Sequence, residues 1–239
     1  MPDRFYLPGT WSSSVELEGT EAHHLANVLR AKPGDQVELF NGEGGSAVAE
    51  VRTVKKRTVQ LQLVSEPRQS SPPKTELVLA VASPKGDRLR WMIEKMTELG
   101  VDRFIPLKTA RSVVDPGETK LAKLEQTIIS ASKQCHRDWL LKVESSLLLS
   151  ELPNRFDSQS AWVIWGDADG RSWSRTSAPE PLPKTLVAVI GPEGGFTEEE
   201  KGNLLGFHFQ PISFSQNILR IETAAIAGAA LLQTCRLPL

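Results

Sequence analysis

Residues 185–200 read TLVAVIGPEGGFTEEE, and this stretch decides the fold of the second half of the chain. Its first part, Thr185–Ile190, is apolar without alternation, which is typical of a parallel strand buried on both faces. A glycine-rich turn follows, and then Thr197 and Glu200 form a capping box that predicts the start of a helix. A strand, a turn and a capped helix in this order indicate one unit of a parallel α/β sheet.

The same alternation of strands and helices continues on both sides of this stretch. ELVLAVA (76–82) and residues 161–165 are further apolar strands, and Gln210–Phe214 is the last strand. Apolar residues at helical spacing predict a helix that ends before Gly100, and small residues dominate a helix over Glu222–Thr234. We therefore expect an α/β domain with a mostly parallel sheet over residues 75–239.

The segment PRQSSPPK (67–74) predicts a linker, because proline fixes the backbone and removes hydrogen-bond donors. Before it, residues 36–63 alternate between apolar and polar, with glycines at 42, 44 and 45 supplying a turn. One short helix over residues 21–30 precedes these strands. We expect residues 1–70 to form a small antiparallel β meander or barrel.

Composition narrows the class of protein. The chain has 239 residues, 40% of them hydrophobic and 24% charged, as in ordinary globular proteins. No apolar stretch is long enough to span a membrane, and two cysteines are too few for a disulfide framework. The first residues do not resemble an export signal, so we expect none. We expect a cytoplasmic protein without membrane contact. Lys and Arg (28) balance Asp and Glu (29), yet basic residues are enriched from Lys85 to Lys142. That stretch forms either a positive surface or an ordinary solvated helix face.

The glycine-rich turn is the first candidate binding site. In open α/β sheets, ligands bind at the carboxyl ends of strands, and glycine lets the backbone approach them closely. The turn lacks the motifs of phosphate-binding loops, and Glu193 would repel a phosphate, so a phosphate-free ligand fits better. A plain strand-to-helix turn is the alternative.

Other candidate residues lie near the C-terminus. Arg220 and Glu222 stand in an apolar segment, so they either pair with each other or are drawn toward a site. Adjacent His23 and His24 point in different directions on a helix, and Cys135 lacks a second ligand at metal-binding spacing. We therefore predict no metal site.

Several ordered motifs carry a resemblance to a known family. They are HHLANVLR (23–30), PGDQVELFNGEG (33–44), KGDRLRWMIEKMTELGV (85–101), IPLKTARSV (105–113), GPEGGF (191–196) and LRIETAA (219–225). With Gln134 and Arg137, they resemble the SPOUT (trefoil-knot) RNA methyltransferases. The resemblance is closest to the ribosomal small-subunit uridine-N3 methyltransferase family (the RsmE type), and it covers nearly the whole chain.

The resemblance implies a fold and an activity. It implies a SPOUT α/β parallel-sheet domain with a C-terminal trefoil knot, preceded by a PUA-like β-barrel that binds RNA. The activity would be methylation of N3 of a uridine in 16S ribosomal RNA within the small ribosomal subunit, with S-adenosyl-L-methionine as cofactor. The resemblance also implies a homodimer.

The same likeness implies the residues of the cofactor site, and the proposed reaction suggests candidates for catalysis and for RNA contact. Those expected to bind the cofactor are Trp165, Gly166, Ile190, Gly191, Pro192, Glu193, Gly194, Gly195, Phe214, Ser215, Ile218, Leu219 and Thr223. Arg220 is the expected catalytic residue that stabilises the uracil anion, and Glu222 would orient it or the loop. Those expected to contact RNA are Arg30, Arg52, Lys55, Lys56, Arg57, Lys85, Arg88 and Arg137.

The chain departs from the family pattern at three places. Ser215-Gln216-Asn217 stands where the family commonly has Gly-x-Arg, Lys133 replaces a glutamate, and Leu141 a frequent proline. Two other functions stay open: a ribose 2′-O-methyltransferase of the same superfamily, and a non-catalytic RNA-binding protein of ribosome assembly. The barrel and the KGD motif favour base methylation, and the intact GPEGG and LRxET segments argue against loss of activity.

Overall fold

The computed structural model describes residues 2–113, 123–156, 160–173 and 178–237. The chain forms two compact units. The first consists of Met1–Pro72 together with Ser132–Leu140, and the second of Pro73–Ala131 together with Leu141–Leu239. The segment Ser132–Leu140, which the sequence placed in the second domain, therefore clusters with the first unit.

The first unit is built on a six-stranded sheet. Its strands are β1 (Arg4–Tyr6), β2 (Ser14–Glu18), β3 (Gln36–Phe40), β4 (Gly45–Val54), β5 (Thr58–Leu63) and β6 (Arg68–Gln69). The order is β1-β3-β4-β5-β2 with β6 beside β4, and every pair is antiparallel except β1 with β3. Helix α1 (Gly19–His23) continues into a π-helical turn (His24–Val28). The predicted linker (67–74) thus contains a short strand, β6, which pairs with β4.

The alternating residues of this unit form its core. Leu39, Ala49, Val51, Val59 and Leu61 point to one side of the sheet and are fully buried. Residues of the segment Ser132–Leu140 are tied to the same unit. The buried Arg4 forms an ion pair with Asp138, and the Trp139 Nε1–H donates to Ser70 Oγ at 3.0 Å. These bonds explain why the segment clusters with residues distant in sequence.

The second unit is built on a seven-stranded parallel sheet. Its elements are β7 (Glu76–Val81), α2 (Asp87–Glu98), β8 (Arg103–Lys108), α3 (Glu125–Gln134), β9 (Lys142–Val143), β10 (Leu147–Leu148), α4 (Leu152–Arg155), β11 (Ala161–Ser172), β12 (Thr185–Ile190), α5 (Glu198–Gly206), β13 (Gln210–Ser213) and α6 (Ile221–Arg236). The last three residues of α3 belong to the segment that clusters with the first unit. The strand order is β10-β8-β7-β12-β11-β13, with β9 beside β8. Every pair is parallel, as the uninterrupted apolar runs predicted.

The central strands β7 and β12 form much of the hydrophobic core of the second unit. Leu77–Val81 and Leu186–Val189 are fully buried, since α6 packs against both strands and α2 packs against α6. Helix α2 ends at Glu98, and Gly100 with φ +78° reverses the chain, as expected of a helix C-terminus. The parallel α/β sheet is confirmed, and its trefoil knot stays a prediction. No helix in the described ranges is long and apolar enough to cross a membrane.

Strand β11 differs from the prediction. The apolar run suggested that it ends at Trp165, but it extends to Ser172. The pairing with β13 breaks after Gly166 and resumes at Arg171, so residues 167–170 form a bulge. The residues of this bulge are mostly polar, as in a loop. The sequence pattern therefore predicted that the strand ends before them.

Candidate functional site

A cavity of about 340 Å³ lies at the carboxyl ends of β11 and β12, beside the end of β13. In an open parallel sheet this is the edge where ligands bind. Three segments form its walls: Gly166 with the bulge that follows it, the glycine-rich turn 190–196, and the loop 213–219 that leads to α6. The first turns of α5 and α6 close it with Lys201, Ile221 and Ala224.

The glycine-rich turn is fixed by hydrogen bonds on both sides. The Gly195 N–H donates to the Pro192 carbonyl at 2.8 Å, and Gly195 has φ +66°, which only glycine adopts readily. The predicted capping box is confirmed: the Glu200 N–H donates to Thr197 Oγ1 at 3.2 Å, and the Thr197 N–H to Glu200 Oε2 at 2.8 Å. The turn therefore enters α5 in one defined direction.

Arg111 supports the turn from behind, and the sequence did not reveal this. Its Nη1 donates to the Gly194 carbonyl at 2.7 Å. The Ala110 N–H next to it donates to Glu200 Oε1 at 2.8 Å, so one carboxylate joins the capping box to the loop after β8. This hydrogen bond from the Arg111 guanidinium holds the glycine turn in place. Arg111 itself is not among the residues that line the cavity.

The bulge of β11 adds two carboxylates that the sequence analysis missed. Asp167 and Asp169 line the cavity, and the Asp169 N–H donates to Asp167 Oδ1 at 2.9 Å. Lys201 Nζ lies 3.0 Å from Asp167 Oδ2, and this hydrogen bond raises the pKa of Lys201. The only cation among the described lining residues is therefore already paired. A signal existed in the sequence, since Asp167 and Asp169 directly follow a buried strand.

The third wall carries the chain's departure from the Gly-x-Arg pattern. Ser213 Oγ donates to the Ser215 carbonyl at 3.0 Å, and the Asn217 N–H donates to Ser215 Oγ at 3.0 Å. These two bonds close a compact polar turn in place of a glycine. Phe214 lies against Gly166, where an added Cβ would come within 3.1 Å of its ring.

Most residues expected at the cofactor site line this cavity. They are Gly166, Ile190, Gly191, Pro192, Glu193, Gly194, Gly195, Phe214, Ser215, Ile218 and Leu219. Trp165 is not among them, because it is 2% exposed, packs edge-on against Phe196 and donates from Nε1 to the Phe209 carbonyl. Thr223 lies instead on a neighbouring cleft. Trp165 thus belongs to the core. The sequence could not show this, because on a strand that is apolar on both faces the residues that face the site cannot be told from those that face away.

The neighbouring cleft lies between the start of α2 and the start of α6. Arg88, Trp91, Ile218, Arg220 and Glu222 line it. Arg88 Nη1 lies 3.8 Å from Glu222 Oε1 and 3.9 Å from Glu193 Oε1. Of the two alternatives for Arg220 and Glu222, pairing with each other does not occur: Arg220 is exposed at the N-cap of α6, and the cation that faces Glu222 is Arg88. Arg88, whose contact with RNA stays a prediction, thus faces two carboxylates.

The other residues expected to contact RNA are distributed over both units. Lys55, Lys56 and Arg57 are exposed in the hairpin between β4 and β5, and Arg30 is exposed with φ +56° after the π-helical turn. Arg52 forms an exposed ion pair with Glu50 at 2.6 Å. Lys85 is exposed before α2, whereas Arg137 is half-buried in the segment of the first unit.

Lys133, which replaces the family glutamate, has a partner in this chain. Its Nζ lies 2.8 Å from Glu21 Oε2, and both side chains are mostly buried. The amine also lies 4.7 Å from the centre of the Phe5 ring. The departure from the family pattern is thus accommodated by an ion pair within the first unit.

The cavity favours a particular class of ligand. Its lining includes the apolar side chains of Ile190, Phe196 and Phe214 and the carboxylates of Asp167, Asp169 and Glu193. A flat apolar group fits the apolar part of this lining and a positive charge fits the carboxylates, whereas a phosphate would be repelled by them. No cluster of three or more His, Cys, Asp or Glu that could hold a metal ion occurs in the described part of the chain.

Comparison with known proteins agrees with this geometry. Residues 71–233 match the RNA methyltransferase domain family, and residues 17–64 match the RNA methyltransferase PUA domain. The ribosomal RNA small subunit methyltransferase E of Bacillus subtilis is 31% identical over 222 residues, covering 89% of this chain and 87% of the relative. The Synechocystis protein of the same name is 30% identical, covering 91% of this chain and 72% of the relative.

Two solved structures share the whole architecture. The ribosomal RNA small subunit methyltransferase E of Neisseria gonorrhoeae, bound to S-adenosyl methionine, is 28% identical with a TM-score of 0.87. A Legionella pneumophila protein in complex with the bound cofactor SAM is 31% identical with a TM-score of 0.85. Each alignment covers 98% of both chains. With a PUA-like domain at its N-terminus and a parallel α/β domain after it, this chain belongs to the ribosomal RNA small subunit methyltransferase E family.

Proposed function

We propose that this protein transfers a methyl group from S-adenosylmethionine to N3 of a uridine in 16S ribosomal RNA of the small ribosomal subunit. The observation that carries the proposal is the cavity at the glycine-rich turn, lined by apolar side chains and carboxylates at the edge of a parallel sheet. The names and bound cofactor of the related proteins support it. A ribosomal substrate also implies a cytoplasmic location.

The residues present fit S-adenosylmethionine. The cavity volume of about 340 Å³ falls within the ~300–1,000 Å³ of small-molecule sites. Ile190, Phe196 and Phe214 would contact the adenine ring, and backbone groups of the glycine turn would read its edge. The exposed carboxylates of Asp169 and Glu193 suit the positive charges of the sulfonium and amino groups, whereas Asp167 is already paired with Lys201.

The chain must also activate the uracil. When bound, the cofactor supplies an electrophilic methyl group, and the protein has to present an N3 that has lost its proton. Arg220 is exposed at the start of α6, on the cleft that adjoins the cofactor cavity through Ile218 and Leu219. Its guanidinium would donate to O2 or O4 and stabilise the negative charge as it develops, and alignment in a water-excluding site adds to the rate.

RNA is held by basic side chains in both units. We propose that Arg30, Arg52 and the hairpin Lys55–Arg57 bind phosphates through the first unit, with Lys85 and Arg137 contributing elsewhere. Most of these side chains are exposed, so their contribution is electrostatic. Arg88 belongs to the same predicted set, and its guanidinium also lies near the carboxylates of Glu193 and Glu222.

A homodimer would complete the site. Ile218 lies between the cavity and the cleft with 93% of its surface exposed, and Trp91 on the same cleft is 46% exposed. Exposed apolar groups beside a reaction site admit water, and a second copy of the chain would exclude it. Light scattering of the purified protein tests this, and a monomer at all concentrations would contradict it.

The experiment that tests the function is methyl transfer. Purified protein is incubated with labelled S-adenosylmethionine and small ribosomal subunits that lack the modification, and the RNA is digested to nucleosides for mass spectrometry. We expect 3-methyluridine. A 2′-O-methylated nucleoside would move the target to the ribose, and binding of cofactor and subunits without any product would indicate an RNA-binding protein.

The role of Arg220 is tested separately. We expect Arg220→Ala to lower the single-turnover rate by about 10²–10³-fold, as loss of one charge-stabilising donor does elsewhere. Binding of S-adenosylmethionine and of RNA are measured in parallel. Full turnover with normal binding of both would refute the assignment.

A further inference from the structure

The carboxylate of Glu222 has no hydrogen-bond partner among the described residues. The residue is 6% exposed, its Oε2 is buried without a partner, and its Oε1 lies 3.8 Å from Arg88 Nη1, beyond hydrogen-bond distance. A buried carboxylate usually accepts several hydrogen bonds, because leaving one unpaired is energetically unfavourable. Such a group at the edge of a reaction cleft therefore indicates a function in the loaded enzyme.

The charges around Glu222 do not balance. One cation, Arg88, faces both Glu222 and Glu193, so this cluster keeps a formal excess of one negative charge. Asp87 on α2 adds to the negative side of the cleft, and Arg220 on the other side is exposed to solvent. The strands packed beneath α6 bring no titratable side chain between Leu77 and Ala82 or between Leu186 and Ile190.

The position of Glu222 is suited to the chemistry. It is the second residue of α6, and it lines the cleft that shares Ile218 and Leu219 with the cofactor cavity. Ile218 and Leu219 thus lie between the cavity proposed for the methyl donor and the cleft that contains this carboxylate. Methylation of uracil at N3 requires that the N3–H bond be broken, and among the groups on this cleft a carboxylate is the natural proton acceptor.

We propose that Glu222 is the general base that removes the N3 proton of the target uridine. The N3–H bond breaks, an O–H bond forms on the Glu222 carboxylate, and the electron pair remains on N3, where methylation uses it. The proton then leaves Glu222 for water. Arg88 holds the carboxylate toward the cleft and Arg220 stabilises the uracil anion. This inference rests on the proposed function and names the proton acceptor of that site.

The test is the isosteric variant Glu222→Gln. We expect the single-turnover rate near neutral pH to fall by about 10²–10⁴-fold, the usual contribution of a positioned general base. Binding of S-adenosylmethionine, followed by calorimetry, and the thermal melting curve should remain those of the wild type. Glu199→Gln is the matched control, because Glu199 is also the second residue of a helix but is exposed and outside both clefts. It should keep the wild-type rate.

Two further measurements separate proton removal from a structural role. Subunits reconstituted with 5-fluorouridine in their RNA carry a more acidic N3, so Glu222→Gln should regain most of its lost rate on them. Raising the pH should narrow the difference between the variant and the wild type for the same reason. Glu222→Asp keeps a carboxylate and should retain an intermediate rate.

The outcomes distinguish this inference from the proposed function. If the wild type makes 3-methyluridine and Glu222→Gln keeps its full rate, only the inference is overturned. Loss of rate together with loss of cofactor binding, or loss that 5-fluorouridine does not restore, would also overturn it by showing a structural role. If the wild type methylates another atom, the proposed function itself fails.

Discussion

Gly191→Ala should destabilise the second unit, and the reason is steric. The Cβ of an alanine at this position would lie 3.0 Å from Phe196 Cε2 and 3.1 Å from its Cζ, whereas ordinary contacts lie at 3.4–4 Å. The Phe196 ring is 5% exposed and packs edge-on against Trp165, so it has little room to move. Overpacking of this kind costs about 1–3 kcal/mol. For a domain of this size each kcal/mol lowers Tm by about 2–4 °C.

Gly194→Ala, in the same turn, is the internal control. The atom nearest to its added Cβ is Arg111 Cδ at 3.3 Å, which belongs to a flexible and exposed side chain. Gly194 also has no positive φ. The free energy of unfolding should therefore change by no more than about 0.5 kcal/mol.

The assay is equilibrium unfolding in urea, followed by circular dichroism, for both variants and for Phe196→Leu. Removing part of the ring should relieve the clash, so the double variant Gly191→Ala/Phe196→Leu should lose less stability than the sum of the single variants by at least about 0.5 kcal/mol. Additive losses, or a Gly194→Ala variant as unstable as Gly191→Ala, would refute the steric explanation.

Three other predictions concern the ion pairs and the basic hairpin. Lys133→Glu would place a second carboxylate beside Glu21 and should destabilise the first unit by about 1–3 kcal/mol, less than for a fully buried pair. Adding Glu21→Lys exchanges the two charges and should restore the urea midpoint of unfolding. A double variant that does not recover would contradict the pairing. The raised pKa of Lys201 means that its bond to Asp167 stabilises the fold below the ordinary lysine value of 10.5 and is lost as pH rises through the raised value. The stability difference between wild type and Asp167→Asn should therefore shrink in alkali, and a difference that grows there would be the wrong sign. Removing the charges of Lys55–Arg57 should reduce the salt dependence of RNA binding, by about 0.7–0.9 in the log–log slope for each phosphate that the hairpin neutralises in the wild type; an unchanged slope would exclude the hairpin from the interface.

Local patterns predicted the parts of the site that depend on neighbouring residues. The bounds of β12 were correct because both ends are set locally, by an apolar run and by glycine. The capping box of α5 was also correct, since Thr197 and Glu200 each bond to the other's backbone within one turn. Gly100 ended α2 for a comparable reason.

Contacts distant in sequence were not predictable from the same patterns. Arg111 reaches Gly194 across 83 positions, and no local signal marks that bond. The bulge of β11 depends on pairing with β13, so its polar residues looked like a loop. The segment Ser132–Leu140 was placed with the second domain, because its bonds to Arg4 and Ser70 appear only in three dimensions.

Arg88 shows how such a distant contact changes the interpretation of a site. In the sequence it is one of many basic residues between Lys85 and Lys142, and contact with RNA was therefore the hypothesis. In the structure it faces Glu193 on the glycine turn and Glu222 on α6 at nearly equal distances. A guanidinium shared by two carboxylates couples the wall of the proposed cofactor cavity to the proposed general base. Arg88→Met should therefore affect cofactor binding and turnover together, whereas a phosphate contact would change only RNA affinity and its salt dependence. A variant that loses RNA affinity alone would return Arg88 to the RNA interface and leave Glu222 without its positioning partner.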